Sequence, residues 1–244
     1  MIDLFKSSHD NDNVSAQMLR YEQKFATNSF SFDQLQLSLF LSNFLLRVQH
    51  PDRWINNIYF DSEDMAAYRE NKEGVSDRCK FRIRWYGELE NCRAKPTLEF
   101  KRKCGSVGDK IKSDLGFWNN KNQLCRGEVL NLIRTRVDEL GIIAEVSDKL
   151  PVLINRYCRS YFSSPHEDLR VTIDRHIAYG GFSSIGGSLI SLNLVPELVL
   201  EVKYSKASLD EAQRLFENLS IRKTKYSKYC MGIDSLQKRM VFKV

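Results

Sequence analysis

Apolar and polar residues alternate with a period of two along several stretches of the chain, the pattern of a β-strand with one packed and one wet face. In "KFRIRWYG" this puts Lys80, Arg82 and Arg84 on one side and Phe81, Ile83 and Trp85 on the other. "TLEFKRK" places Glu99, Lys101 and Lys103 opposite Leu98 and Phe100, and "LRYEQKFA" places Arg20, Glu22 and Lys24 on a single side. "ELVLEVKYS" does the same with Val199, Glu201 and Lys203, and "WINNIYFDS" reads as a further strand. "PVLINRYCRSYFS" and "LRVTIDRHIAYGG" form an antiparallel pair, with Tyr157, Arg159 and Tyr161 sharing a face of the first and Arg170, Thr172 and Asp174 a face of the second.

Between the strands the period lengthens to that of a helix. Residues 31–48 carry leucine and phenylalanine at helical spacing behind Ser31, an expected N-cap. "DSEDMAAYRENK" is a short helix or turn running to a charged loop at Gly74, and "RGEVLNLIRTRVDELG" is a helix with Leu130, Ile133, Val137 and Leu140 inward and Gly141 at its end. "SLDEAQRLFENL" opens with Ser208 and Glu211 spaced as a capping box. The loops are "GELENCRAKP", the glycine-rich "GGFSSIGGS" and the charged "CGSVGDKIKSD", which is expected to be mobile. Residues 1–14 are polar and expected to be loose, and the whole chain, 1–244, reads as one domain.

The apolar strand faces need helices to cover them, and the amphipathic helices are present. A sheet with helices outside and cations inside, once closed, is a barrel with a polar lumen. The expected fold is therefore α+β, a closed antiparallel barrel sheathed by helices. The rival is an ordinary sheet whose charged faces are merely solvated.

Lysine and arginine number 37 against 31 aspartate and glutamate, so the excess is modest and its placement says more than its sum. Arginine forks hold phosphate oxygens bidentately and lysines act as point charges, so converging cations suit a chain of phosphates. Carboxylates on the same faces would repel that chain. They are accounted for if they hold Mg²⁺ or Mn²⁺, hard ions that take carboxylate and phosphate oxygens together. A nucleic-acid platform is disfavoured, because Phe81 and Trp85 lie on the face away from the cations. The six cysteines show no metal or disulfide spacing and read as reduced thiols of the cytoplasm. His9, His50, His166 and His176 are isolated. No stretch reads as a signal peptide or a spanning helix, so any membrane link, at its inner face, would run through a partner protein.

Taken in order, "YEQKF", "KFRIRWYG", "LEFKRK", "LEVKYS" and "KYSKY" span nearly the whole chain. This set resembles the VTC (vacuolar transporter chaperone) polyphosphate polymerase domain of the triphosphate tunnel metalloenzymes. The resemblance implies a barrel of about eight strands, ATP or another triphosphate as donor, inorganic polyphosphate as acceptor, and manganese or magnesium as cofactor. It implies that Lys24, Arg82, Arg84, Lys101 and Arg159 contact the reacting phosphates. By the same resemblance Tyr157 stands beside Arg159, and Lys225, Ser227 and Lys228 bind terminal phosphates. Lys110 is a further match. Glu201 is the implied metal ligand, with Glu22 and Glu99 as second ligands or salt-bridge partners, and Lys203 shares the face of Glu201. Neither an SPX-like regulatory region nor a membrane-spanning tail is read here, so regulation by inositol phosphates and direct translocation of product are not expected. The expected activity is polyphosphate synthesis. The alternatives are triphosphate hydrolysis, in which water replaces the polymer end, and a binding module without catalysis.

Overall fold

A computed structural model describes residues 20–91, 93–104, 107–119, 124–183, 186–219 and 221–241. The expected loose segment 1–14, together with His9 and Cys92, lies outside these residues. In chain order the elements are β1 (Arg20–Thr27), α1 (Phe32–Phe40), β2 (Arg47–Asp61), α2 (Ala66–Glu73), β3 (Arg78–Tyr86), β4 (Thr97–Cys104), β5 (Val107–Asp114), α3 (Arg126–Glu139) and α4 (Ile143–Val146). They continue with β6 (Leu150–Ser163), β7 (Leu169–Gly181), β8 (Asn193–Leu194), β9 (Leu198–Ser205), α5 (Leu209–Asn218) and α6 (Lys228–Val241).

All strands pair antiparallel in one sheet, ordered β1-β9-β7-β6-β2-β3-β4-β5, with β8 added beside β7. The long central strands β2 and β6 are bent by register shifts at Val48/His50, His50/Arg53 and Tyr59/Phe60, and β6 against β7 shifts at Arg156/Cys158. Such irregularities add twist and bend, and they curl the sheet around its charged face. The curl stops short of the closed barrel expected from the sequence: among the described residues no ladder joins β5 to β1. The free edge of β1 is met instead by the segment leading into α6, through a bridge between Phe25 and Lys223 and a hydrogen bond from Thr224 N to the Lys24 carbonyl.

The strand faces fall as the alternation predicts. Phe81, Ile83, Trp85, Leu98 and Phe100 are buried on the outside under α3, which contributes Val129, Ile133 and Val137. A second outer layer joins Phe25, Val171, Ile173, Leu200 and Val202 to Leu35 and Leu39 of α1 and Leu215 of α5. A third cluster lies on the inner face, where Tyr226, Tyr229, Cys230 and Ile233 pack on Ile55, Tyr59, Leu153, Tyr157 and Tyr179. Helix α6 thus plugs one end of the curled sheet. It comes close because residue 232 is glycine: a Cβ there would lie 2.5 Å from Leu153 Cδ2.

Four local expectations change. The helix opening at Ser31 does form a full capping box with Gln34, but it ends at Phe40 rather than running to Val48. The apolar periodicity continued past that point because Phe44 and Leu46 enter the same core from a turn. "CGSVGDKIKSD" is not a loop but contains β5, paired along β4 from Thr97–Asp114 to Cys104–Val107. Ser208 precedes α5 without a side-chain cap, and its hydroxyl meets that of Ser205 at 3.3 Å instead. Gly141 stands one residue beyond the Leu140 cap of α3, at φ +64°, a conformation that glycine adopts without cost.

Candidate functional site: a cationic lumen

The inner face encloses a cavity of about 290 Å³ lined by nine lysines and arginines, three glutamates, four tyrosines and Ser227. It is continuous with a wider cleft of about 770 Å³ between β1, α2 and α6, because Glu22, Lys24, Lys80, Tyr226 and Ser227 border both. Nearly every site residue expected from the sequence meets here: Glu22, Lys24, Arg82, Arg84, Glu99, Lys101, Lys110, Tyr157, Arg159, Glu201, Lys203, Ser227 and Lys228. Lys225 does not line the lumen; it borders the adjoining cleft with Lys223.

Register explains how the charges are arranged. The Glu-x-Lys units of β1 and β9 run antiparallel, which sets Glu22 opposite Lys203 and Lys24 opposite Glu201. The result is a checkerboard. Lys24 Nζ lies 2.9 Å from Glu22 and 3.6 Å from Glu201, and Lys203 Nζ lies 2.8 Å from Glu201 and 3.6 Å from Glu22. Burial of Glu201 opposes its ionisation, yet Lys203, Lys24 and Arg159 outweigh this and hold the carboxyl well below the ordinary glutamate range. Burial likewise opposes the charge on Lys24, and Glu201 and Glu22 raise its proton affinity regardless.

The opposite wall is organised by Glu99 of β4. Arg82 donates to it from Nε at 2.9 Å and from a terminal nitrogen at 2.5 Å, and Arg84 and Lys112 stand at 3.8 and 3.7 Å. Against the effect of burial, these arginines hold the Glu99 carboxyl at about 2. Arg84 is also fixed by Asn57, whose Oδ1 accepts from Arg84 Nε at 2.9 Å and whose amide donates to Asn155 at 2.8 Å. Between the walls, fully buried Asp174 of β7 accepts from Arg159 at 2.5 and 2.7 Å and from the Lys228 ammonium. Burial would raise the Asp174 carboxyl, but Arg159 and Lys228 bring it below its ordinary value. Tyr157 packs its ring against both cations, with centroid distances of 5.4 and 4.6 Å.

Asp174, Asn57, Asn155, Tyr59 and Lys80 are site residues to which sequence reasoning gave no role. A signal existed for Asn57 and Asn155, each an amide set among apolar neighbours in "WINNIYF" and "PVLINRY"; Asp174, in the charged "RVTIDRH", gave none. Tyr59 is buried among cations. Burial disfavours its phenolate, but Arg82 and Arg84 bring its proton affinity below that of an ordinary tyrosine.

Glu201 and its two candidate second ligands share the lumen but do not gather in one cluster. Glu22 and Glu201 lie on adjacent strands and contact the same two lysines, whereas Glu99 is spent on Arg82 and Arg84 across the lumen. Among the described residues no group of three or more His, Cys, Asp or Glu side chains gathers as a metal site. Two carboxylates do fit Mg²⁺ or Mn²⁺, which commonly take one or two protein carboxylates and complete their shell with phosphate oxygens and water. Trp85 and Phe81 are 0% and 1% exposed in the outer core, so neither offers a stacking face to a nucleobase.

Fold and site together define an α+β domain whose curled antiparallel sheet encloses a cationic lumen. The VTC domain family matches residues 7–237, and the chain belongs to that family, the one its five motifs resemble. No curated protein matches it by sequence. Among solved structures it is similar to a candidate adenylate cyclase of Vibrio parahaemolyticus, at 10% identity and a TM-score of 0.45, covering 86% of this chain and 95% of that one. A Pyrococcus horikoshii protein is similar at 11% identity and 0.48, covering 88% and 99%. A Hippeastrum candidate adenylyl cyclase with a dominant triphosphatase activity is similar at 16% identity and 0.45, covering 89% and 96%.

Proposed function

We propose that this chain is a polyphosphate polymerase that uses Mn²⁺ or Mg²⁺ to transfer the γ-phosphate of ATP to a growing inorganic polyphosphate chain within the lumen. The observation that carries this reading is the convergence of nine cations, against three carboxylates, on one cavity. Phosphoryl transfer spreads charge over nonbridging oxygens, so it is accelerated mainly by positioning and electrostatic stabilisation. In this reading an oxygen of the polymer's terminal phosphate attacks the γ-phosphorus, the bond to the β–γ bridging oxygen breaks, and ADP leaves. Arg82, Arg84, Arg159, Lys24 and Lys101 hold the reacting phosphates. Lys110, Lys203, Ser227 and Lys228 hold the flanking ones, with Tyr157 shaping the wall beside Arg159, and Lys225 serves the cleft. Glu201 and Glu22 hold the metal ion, which supplies further charge neutralisation; Glu99 serves the arginines.

The same cage with water as acceptor would be a triphosphatase, and without turnover a binding module. Incubating the pure protein with ATP and Mn²⁺, and resolving polymer from free phosphate, separates the three. The polymerase lengthens product with time and releases little phosphate. ATP converted to phosphate alone, with added short-chain polyphosphate degraded and never extended, overturns synthesis in favour of hydrolysis. No turnover, with salt-sensitive polyphosphate binding, leaves the module.

A further inference from the structure

Two adjacent ladders set three lysines in one row across the sheet. Lys80 on β3 stands opposite Lys101 on β4, and Lys101 stands opposite Lys110 on β5. Neighbouring strands lie only ~4.8 Å apart, and like charges directly opposite one another destabilise a sheet. The other lumen cations have counter-charges: Glu22 and Glu201 for Lys24 and Lys203, Glu99 for Arg82 and Arg84, Asp174 for Arg159 and Lys228. Among the described residues no carboxylate lies within ion-pair distance of Lys80, Lys101 or Lys110. Glu99 attracts Lys110 from beyond ion-pair distance, but Lys112, Arg82 and Arg84 crowd Lys110, and Lys24 and Arg78 crowd Lys80, so the row stands in a surplus of positive charge that an anion would relieve.

Lys80 differs from its two neighbours in position. It borders both the lumen and the cleft, whereas Lys101 and Lys110 border the lumen alone. Its ammonium reaches the Ser227 hydroxyl at 3.5 Å, across the seam between β3 and the start of α6. Burial lowers its proton affinity, Lys24 and Arg78 push the same way, and Tyr59 and Cys230 would oppose this only as anions. The cleft beyond it is bordered by Arg78, Lys223 and Lys225, with Glu73 and the Lys72–Asp234 pair, closed at 2.8 Å, on its α2 and α6 side.

We propose that Lys80 is a specificity-determining residue for long phosphate chains: with Lys101 and Lys110 it forms a phosphate-binding row, and it holds the chain where the lumen opens into the cleft. The proposal rests on the reading of the lumen as a polyphosphate site. A triphosphate is held by the arginine walls together with Lys24, Lys101 and Lys110, and only a longer chain extends past Lys80 towards Lys223 and Lys225.

Metal-free calorimetry with tripolyphosphate and with long-chain polyphosphate tests this on the wild type, Lys80→Met and Lys80→Arg. Loss of one charge-assisted contact should weaken long-chain binding by Lys80→Met about tenfold or more, weaken tripolyphosphate binding by no more than about twofold, and leave the unliganded melting temperature no lower than wild type. Lys80→Arg should restore long-chain binding. Equal weakening of both ligands would make Lys80 a general phosphate contact, and weakening of neither would make it structural; either result overturns the assignment. A wild-type protein that binds neither ligand overturns the polyphosphate reading itself.

Discussion

Glu99→Gln tests whether Glu99 is the counter-charge of Arg82 and Arg84 or a ligand for metal. The side chain is 6% exposed and accepts two hydrogen bonds from Arg82. Its carboxyl is held at about 2 against an ordinary 4.5, and each pH unit of such a difference corresponds to ~1.4 kcal/mol. Ionised Glu99 therefore stabilises the folded state by about 3 kcal/mol at neutral pH. Because the folded value lies below the unfolded one, this contribution is complete above the unfolded value of 4.5 and is lost as pH falls towards 2. In a chain of this size the amide variant should melt roughly 6–12 °C lower near pH 7, and the gap should narrow steadily below pH 4.5. Tripolyphosphate should then bind the variant more tightly than the wild type, since it replaces the missing counter-charge of both arginines. Differential scanning calorimetry across pH, with and without tripolyphosphate, reads all of this. A variant that melts with the wild type at pH 7, or that loses Mn²⁺ affinity in the presence of nucleotide, would refute the reasoning.

Three further outcomes are expected. Glu201→Gln should abolish Mn²⁺-dependent turnover while leaving metal-free triphosphate binding intact or stronger; unchanged metal affinity by calorimetry would move the role to Glu22. Asp174→Asn leaves Arg159 and Lys228 sharing one neutral buried amide, and should lower stability by about 3 kcal/mol or more in urea unfolding; a loss below about 1 kcal/mol would show that these cations need no fixed counter-charge. Gly232→Ala puts a methyl 2.5 Å from Leu153 Cδ2 and 2.7 Å from Tyr179 Cδ1. It should cost about 1–3 kcal/mol and, by displacing Lys228 at the start of α6, weaken tripolyphosphate binding. Wild-type melting and binding would contradict the close packing of α6 on β6 and β7.

The sequence by itself determined which side chains face inward, since a period of two admits no other arrangement within a strand. Lys80, Arg82, Arg84, Glu99, Lys101, Glu201 and Lys203 all face the lumen as the alternation requires, and Ser31 caps its helix by a contact spanning three residues. What lies beyond one strand or one turn was not legible. Periodicity gives a face but no partner, so the three Glu-x-Lys units look alike in the sequence. Register alone makes Glu22 and Glu201 neighbours, assigns Glu99 to Arg82, and leaves Lys101 between two other lysines. The same limit hid β5, a glycine-bearing charged segment that becomes a strand only because β4 offers it an edge. It hid Asp174 as well, whose role exists only where β6 and α6 bring Arg159 and Lys228 to it. Whether the sheet closes is likewise a sum of bends in β2, β6 and β7, a property of the assembled ladders rather than of any one segment. Local chemistry thus supplied the charges, and the non-local pairing of strands decided which are neutralised and which remain free to hold an anion.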